Sequence, residues 1–299
     1  FELITRTLEE IEKGNFPHFM LKEIFEQPET IARALKGRSG RVNKSENKLI
    51  LGGIKSVAKS LKKAEQFVFL ACGTSYNVGL LGKILFQHFT KTQTSVEYAS
   101  EFILNEPTFV KNTIPIAISQ SGETRDTIVA SKKAKEIAGG ILLGICNAVG
   151  RQLSKLTNAG SYLHVGPEIG VASTKAFTGQ FTVLFLWALK IAQYKNLLSD
   201  EDLQKYLNEL VKIPEKIKTV LENNEQIMAV VDLLKNSNNC LFLGRGVNFP
   251  LAMEGALKLK EVSYIHAEAI SLGEMKHGSI ALIDENMPVI VIATKSEHY

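Results

Sequence analysis

The alternation of short apolar runs with amphipathic stretches between residues 66 and 165 constrains the fold of this chain most strongly. Five apolar runs bounded by turn residues are typical of buried strands; they cover residues 67–71, 94–98, 114–119, 141–146 and 162–165. Helical patterns lie between them at 78–88, 124–137 and 152–156. Because parallel strands need crossover connections, which are usually helices, the alternation predicts an α/β fold with helices on both faces of a parallel sheet.

A shorter copy of this pattern begins near residue 240. An apolar strand, a glycine turn and a helix follow one another there, and further strands are expected near 266–270 and 288–293. The residues between 173 and 235 are almost wholly helical in pattern. The boundaries that we predict are an N-terminal arm at 1–50, a first unit at 51–195, a helical connection at 196–238 and an incomplete second unit at 239–299.

Composition and charge narrow the classes of function. The chain has 299 residues, of which 45% are hydrophobic and 22% charged, as in an ordinary globular protein. Its net charge of +4 is spread along the sequence without a long basic run, so nucleic-acid binding is not indicated. The longest apolar stretch, 181–192, is shorter than the ~20 residues of a membrane span and predicts a buried helix.

The three cysteines indicate a reducing compartment. Cys72, Cys146 and Cys240 are far apart and show no metal-ligand spacing, so we expect buried free thiols. The sequence opens without a signal-peptide pattern and begins with Phe1, which suggests an excised fragment. We therefore expect a cytoplasmic protein that does not bind membranes.

The segment 119–124 is the strongest candidate for a ligand site. It joins a strand to a helix and reads Ser119, Gln120, Ser121, Gly122, Glu123 and Thr124. A helix start offers about four unpartnered N–H groups and a partial positive charge, which favour an anion. Capping of the helix is the commoner use of Ser and Thr, but three hydroxyls and an amide within one short segment favour a phosphate. We expect Glu123 to be a first-turn acid of the helix.

Two other junctions belong to the same edge of the predicted sheet, where ligands of parallel sheets usually bind. Thr74 and Ser75 follow a strand and, taken alone, are interpreted as helix caps. The segment 166–175 is a loop that ends in a cap near Ser173. Its carbonyl groups and the Ser173 hydroxyl could face a sugar.

A cluster of charged residues in the second half can carry acid/base chemistry. On a helix Glu254, Lys258 and Glu261 share one face, which is usually a solvated face of ion pairs. Apolar neighbours on the same helix favour a less exposed setting, in which the pKa of a carboxylate can be tuned for proton transfer. His277 lies in a polar turn, where a lone histidine is usually a surface residue.

A metal site in this half has weak support. His266 is interpreted as a packed residue at a strand edge. Together with Glu268 and His277 it matches no standard zinc spacing.

Six segments together, 71–75, 119–124, 166–178, 254–261, 266–268 and 276–278, carry a resemblance to a known family. They look like the sugar-isomerase (SIS) domain of the glutamine:fructose-6-phosphate amidotransferases, the glucosamine-6-phosphate synthases. The resemblance covers most of the chain, including the arm at 20–28 that follows the family's glutaminase domain. It implies two flavodoxin-like subdomains with parallel sheets in three-layer sandwiches, the second of them incomplete.

The resemblance also implies a role for each site residue. The residues expected to hold the phosphate are Ser119, Gln120, Ser121 and Thr124, and those expected to contact the sugar are Thr74, Ser75, Val171 and Ser173. Glu261 is expected to move a proton between C1 and C2 of the sugar, supported by Lys258. His277 is expected to assist ring opening from the neighbouring subunit of a homodimer.

The implied activity converts fructose 6-phosphate and ammonia into glucosamine 6-phosphate, a step of amino-sugar biosynthesis. General acid/base steps suffice for it, so we expect neither a metal nor an organic cofactor. The family's glutaminase domain and its closing lysine segment lie outside this sequence. We therefore expect the chain to bind the sugar phosphate better than it converts it.

Two alternatives share the fold. A non-catalytic sugar-phosphate sensor would need the phosphate site but no proton shuttle, so Glu261 and His277 favour the enzyme. A sugar-phosphate deaminase or deglycase would keep the base but would lack the arm at 20–28. Arg125 departs from the family pattern, which has a small residue there; it either adds phosphate affinity or lies on the surface.

Overall fold

A computed structural model of the chain describes residues 12–41 and 47–295. Residues 1–11 and 42–46 of the predicted arm therefore lie outside the described residues. The same is true of residues 296–299 of the predicted second unit. The chain divides into two compact units, one ending at Lys218 and the other beginning at Thr219. The domain boundaries predicted above stay predictions.

The arm forms two short helices. Helix α1 spans Phe19–Phe25 and α2 spans Gln27–Leu35. Pro28 lies in the first turn of α2, where its missing N–H costs no helical hydrogen bond. Ile31 and Leu35 of α2 are buried in the main core of the first unit. Strands β1 (Ser39–Arg41) and β2 (Asn47–Leu49) then pair antiparallel.

A parallel five-stranded sheet forms the centre of the first unit. Its strands are β3 (Gln66–Ala71), β4 (Gln93–Tyr98), β5 (Thr113–Ser119), β6 (Leu143–Cys146) and β7 (Ala159–Tyr162). Their spatial order is β4-β3-β5-β6-β7. This is the 2-1-3-4-5 order of flavodoxin-like folds, so the predicted α/β class and parallel sheet are confirmed.

Helices cover both faces of this sheet. They are α3 (Ala58–Lys63), α4 (Gly73–Thr90), α5 (Ala99–Leu104), α6 (Arg125–Ile137), α7 (Gln152–Leu156), α8 (Lys175–Tyr194), α9 (Asp200–Leu210) and α10 (Ile213–Leu221). Phe67 and Phe69 of β3 share a core with Trp187 of α8, while Val68 and Leu70 face α5 and α6. This alternation is that of a strand buried on both sides, and it gives the three-layer sandwich.

The fifth strand differs from its prediction of 162–165. Leu163 and Val165 are buried, which made the run look like a strand. His164 between them has a left-handed φ of 59°, and the ladder with β6 ends at Tyr162. Burial and strand pairing are separate properties, and only the first is visible in an apolar run.

The second unit contains a three-stranded parallel sheet. Strands β8 (Asn239–Gly244), β9 (His266–Ser271) and β10 (Val289–Ile292) stand in the order β10-β8-β9. Helices α11 (Asn224–Leu234) and α12 (Asn248–Ser263) precede and follow β8. Phe242 packs against Ala252 and Ala256 of α12, and Met275 packs on the other face of the sheet.

The predicted buried helix at 181–192 is confirmed as part of α8, most of whose residues are buried. Among the residues that the structure describes, the helices fall short of the length and apolar character needed to cross a membrane.

Candidate functional site

The order of the first sheet places the strongest ligand-site candidates side by side. β3 lies between β4 and β5, and the chain runs from it first to β4 on one side and later to β5 on the other. Ligands of such sheets bind in the crevice beyond the carboxyl ends of the strands, where the strand order reverses. The segments that follow β3 and β5 are 73–75 and 119–124, so both predicted site segments meet at this position.

The hydroxyl groups of segment 119–124 form a compact turn. The Ser119 and Thr124 hydroxyl oxygens lie 3.2 Å apart, and the Ser119 Oγ accepts a hydrogen bond from the Gly122 N–H at 3.1 Å. Gly122 has a φ of 69°, a conformation that glycine adopts without strain. Ser119 is buried and Ser121 is exposed. The turn therefore presents polar groups at several depths of one crevice.

The start of α6 is not capped by its own N-cap residue. Thr124 occupies the N-cap position, yet its side chain makes no capping hydrogen bond with the helix. Its hydroxyl faces Ser119 instead. The first-turn N–H groups of an uncapped helix attract an anion. Arg125, the first residue of α6, is exposed.

Glu123 does not play its predicted role. It precedes α6, and the acidic residue in the first turn of that helix is Asp126. The Glu123 carboxylate instead accepts a hydrogen bond from the N–H of Gln152 at 3.0 Å, at the first residue of α7. Its negative charge therefore stabilises the start of a neighbouring helix. The sequence could not show this because the partner is far along the chain.

The first turn of α4 holds Thr74 and Ser75, the two predicted site residues that follow β3. Cys72 occupies the N-cap position without a side-chain cap, so the interpretation of Thr74 and Ser75 as caps is wrong. Ser75 is buried, and its hydroxyl oxygen accepts a hydrogen bond from the Gln180 amide of α8 at 3.0 Å. A hydroxyl that accepts from an amide keeps its own proton for another acceptor.

The loop at 166–174 is held by a carboxylate that the sequence reasoning missed. Glu168 accepts hydrogen bonds from the backbone N–H groups of Thr174 and Ala176 at 2.8 and 3.1 Å, and so caps α8. It also accepts the hydroxyl proton of Ser173 at 2.8 Å. Val171 is 96% exposed, at the outer turn of the loop.

Asn147 holds the beginning of the same loop. Its side chain follows β6, donates to the Gly166 carbonyl at 2.6 Å and accepts from the Val165 N–H at 3.2 Å. An asparagine that directly follows a predicted strand was a usable signal, since it lies at the ligand edge of the sheet.

The predicted charged face in the second unit is confirmed. The Lys258 ammonium lies 3.5 Å from the Glu254 carboxylate and 2.6 Å from the Glu261 carboxylate, all on α12. The side chains of Glu254 and Lys258 are nearly buried, whereas that of Glu261 is 33% exposed. A wholly solvated face is therefore wrong for this cluster. Glu261 lies at its open end, where a ligand can reach it.

His266 and His277, the histidines of the second unit that the structure describes, are exposed. His277 ends a 3₁₀ turn, Leu272–His277, that is anchored in the core by Met275. His266 begins β9 with its side chain outward, so its interpretation as a packed residue is wrong. The reason is the strand alternation, which turns Ala267 inward instead. Over residues 12–41 and 47–295, no three His, Cys, Asp or Glu side chains form a group that could hold a metal ion.

The three cysteines are free thiols, as predicted. Burial raises the pKa of the Cys146 thiol to about 11 and raises the pKa of Cys240 as well. Both are therefore protonated at neutral pH and chemically quiet. Cys72 is half-buried at the start of α4, and its sulfur accepts from the Thr127 hydroxyl at 3.7 Å. It is the cysteine nearest the candidate site along the chain.

Comparison with known families and structures gives three findings. The sequence matches the SIS domain over residues 60–190 and 233–299. It is 50% identical over 293 residues to the glutamine–fructose-6-phosphate aminotransferase [isomerizing] of Chlorobaculum tepidum, and 48% identical over 292 residues to that of Bacteroides thetaiotaomicron. Each match covers 98% of this chain and 47% of the relative. The chain thus spans about half the length of these relatives.

The fold is also similar to a solved structure, the C-terminal domain of glucosamine-fructose-6-phosphate aminotransferase from Francisella tularensis. The TM-score is 0.89 and the sequence identity 38%, over 96% of this chain and 78% of that one.

Proposed function

Because this chain belongs to the SIS domain family, in the group that includes the C-terminal domain of glucosamine-fructose-6-phosphate aminotransferase, we propose that it is the isomerase module of such an enzyme. The module would convert fructose 6-phosphate and ammonia into glucosamine 6-phosphate. The curated relatives carry fructose 6-phosphate and isomerisation in their names.

The observation that carries the proposal is the turn at 119–124. It lies where the strand order reverses, it joins a buried strand to a helix without a side-chain cap, and it is lined by hydroxyls. These are the features that a phosphate monoester requires: donors from several directions and a positive helix end. In this proposal Ser119, Gln120, Ser121 and Thr124 hold the phosphate.

The sugar would extend from the phosphate towards the two flanking loops. Thr74 and Ser75 open α4 beside the phosphate turn, and Val171 and Ser173 belong to the loop that opens α8. The Ser75 hydroxyl already accepts from Gln180, so it has a proton to donate to a sugar oxygen. We assign these four residues to the sugar itself.

The acid/base work would belong to the second unit. Ammonia adds to the C2 carbonyl of the open-chain sugar and water leaves, which gives an imine. Glu261 takes a proton from C1 while the imine nitrogen gains one, which gives an enolamine. The proton on Glu261 then passes to C2 while the C1 hydroxyl loses its proton, which gives the amino-aldose. Lys258, paired with Glu261 at 2.6 Å, would stabilise the charge that develops. His277 would assist opening of the sugar ring. Because these groups move only protons, the proposal requires no cofactor.

The partners of the chain follow from the same proposal. The relatives are about twice as long as this chain and act on glutamine according to their names. We propose that a glutaminase domain supplies the ammonia, that the active unit is a homodimer in which His277 comes from the neighbouring subunit, and that the protein works in the cytoplasm.

The test compares binding of a phosphorylated and an unphosphorylated sugar. The double variant S121A/T124A should lose about 100-fold in affinity for fructose 6-phosphate, because two hydrogen bonds to a charged group are removed. Its affinity for fructose should change less than about threefold. Isothermal titration calorimetry on the chain measures both.

A matched control is S60A, which removes an exposed hydroxyl far along the chain from the turn. Equal losses for the two sugars would remove the phosphate assignment. Normal binding without any hydrogen exchange at C1 in the full protein would instead identify a sugar-phosphate sensor.

A further inference from the structure

Side chains of the N-terminal arm donate hydrogen bonds to the segment that leads into the loop at 166–174. Arg38, just after α2, donates to the Tyr162 carbonyl at the end of β7. Arg33 of α2 donates to the carbonyls of His164 and Val165, both at 3.3 Å. Carbonyl groups beyond the end of a strand have lost their ladder partners. The arm therefore supplies hydrogen bonds that the sheet no longer provides.

Glu23 of α1 makes the most specific of these contacts. Its carboxylate is 2% exposed and accepts hydrogen bonds from two consecutive backbone N–H groups, Ile169 at 2.5 Å and Gly170 at 3.1 Å. Gly170 also lies 3.2 Å from the second carboxylate oxygen. A Cβ at position 170 would lie only 2.6 Å from that oxygen, so the close approach requires glycine.

A second carboxylate of the arm fixes the far end of the loop. Glu26 pairs with the ammonium of Lys175 at 2.5 Å, and Lys175 is the buried first residue of α8. Lys22 also lies 3.4 Å from Glu26. The loop is thus tied to the arm at 169–170 and again at 175, and the predicted sugar contacts Val171 and Ser173 lie between these two points.

Burying a carboxylate is costly unless hydrogen bonds compensate it, and an apolar side chain would dock α1 at less cost. We propose that Glu23 is a positioning residue for the sugar-contact loop, which holds the backbone at 169–170 so that Val171 and Ser173 meet the sugar. The inference rests on the proposed function. It makes the arm part of the substrate site, although Glu23 itself does not touch the sugar.

The charge of Glu23 gives this role a pH signature. Burial raises its pKa, the N–H groups of Gly170 and Ile169 oppose the rise, the nearby Glu168 adds to it and Lys175 opposes it. Lys22 and Glu26 are the other charged groups of this helix face. A raised pKa means that Glu23 takes up a proton at a higher pH than an ordinary carboxyl, and a protonated carboxyl binds two N–H groups less well. The loop should loosen as pH falls through the pKa of Glu23.

The free energy of unfolding should change with pH in the opposite direction. A carboxyl whose pKa is raised by folding contributes stability below its unfolded pKa and loses it as pH rises through the folded pKa. The free energy of unfolding of the wild type, relative to E23Q, should therefore fall as pH rises through that range.

The experiment compares E23A and E23Q with E29Q, a control at an exposed glutamate of the same arm. Amide hydrogen exchange of the peptide covering 166–174 should be at least 10-fold faster in E23A, intermediate in E23Q and unchanged in E29Q. The dissociation constant for fructose 6-phosphate should rise about 10-fold in E23A. It should rise with falling pH more steeply in the wild type than in E23Q, in which the phosphate of the ligand still titrates.

The outcomes separate the two proposals. A wild type that does not bind fructose 6-phosphate overturns the proposed function. A wild type that binds, with E23A and E23Q binding equally well, overturns the positioning role. A folded E23Q variant, checked by circular dichroism, keeps the comparison decisive if E23A fails to fold.

Discussion

The turn at 119–124 and the charged face of α12 obtain their geometry in different ways. At 119–124 the side chains bond one another and the backbone of their own turn, and Ser119 is 3% exposed. On α12 the side chains of Lys258 and Glu261 bond each other along a helix, and Glu261 and His277 are open to solvent. The turn is therefore fixed by its own contacts within the first unit, whereas the surroundings of Glu261 stay partly open to solvent.

This difference indicates whether substrate affinity or turnover should be more sensitive to substitutions. In the proposed function, binding would depend on a preformed turn, whereas proton transfer would gain from the exclusion of water around Glu261. Changes in the second unit should therefore reduce turnover with little effect on affinity.

The greatest loss of activity is expected for E261Q, which keeps the shape of the side chain and removes the proposed base. Exchange of the C1 hydrogen of fructose 6-phosphate with solvent should fall about 10³-fold, since a general base contributes roughly 10²–10⁴-fold. NMR in deuterated water measures this exchange in the full-length protein. Affinity should stay within about threefold. The variant E268Q, at an exposed glutamate of β9, is the control, and equal exchange in E261Q and wild type would remove Glu261 from the role.

A mixing experiment tests whether one site takes its residues from two subunits. In a homodimer whose sites take Glu261 from one subunit and His277 from the other, coexpressed E261Q and H277A chains form one intact site per mixed dimer. Random pairing then restores about a quarter of the wild-type activity. Recovery below about a hundredth would mean that both residues act within one chain.

The last prediction concerns the thiols, on which the ligand should have only a few-fold effect. Because its pKa is about 11, the Cys146 thiol should react with iodoacetamide roughly 100-fold more slowly at pH 8 than an ordinary cysteine. Cys72 should react fastest, and fructose 6-phosphate should slow it a few-fold while leaving Cys240 of the second unit unaffected. Mass spectrometry of labelled peptides follows each cysteine. Protection of Cys240 rather than Cys72 would contradict the proposal that the first unit binds the sugar phosphate.

Local sequence patterns predicted the elements that build the site. The turn at 119–124 was predictable because a fully buried strand, a glycine and a helix start succeed one another along the chain. The shared face of Glu254, Lys258 and Glu261 followed from helical spacing alone. Both features depend on neighbours within one or two turns of the backbone.

The contacts that escaped prediction join residues far apart in the sequence. Gln180 reaches Ser75 across 105 residues, and Glu23 reaches Gly170 across 147. No local pattern marks a carboxylate that caps a distant loop, because its partner is chosen by tertiary packing. The shifted strand β7 has the same cause, since its ladder was decided by β6 and by the conformation of His164.

The packing of α8 against the first sheet also bears on how the chain emerges from the ribosome. The last strand of the sheet ends at Tyr162, whereas Trp187, which fills the core on one face beside Phe67 and Phe69, is made later. At about 5–20 residues per second this interval lasts roughly 1–5 s. Phe86 of α4 already packs against Phe67 and Phe69 on this face. A nascent chain that stalls before α8 therefore carries an aromatic face that is only partly covered, which makes it a substrate for chaperones that hold unfinished proteins.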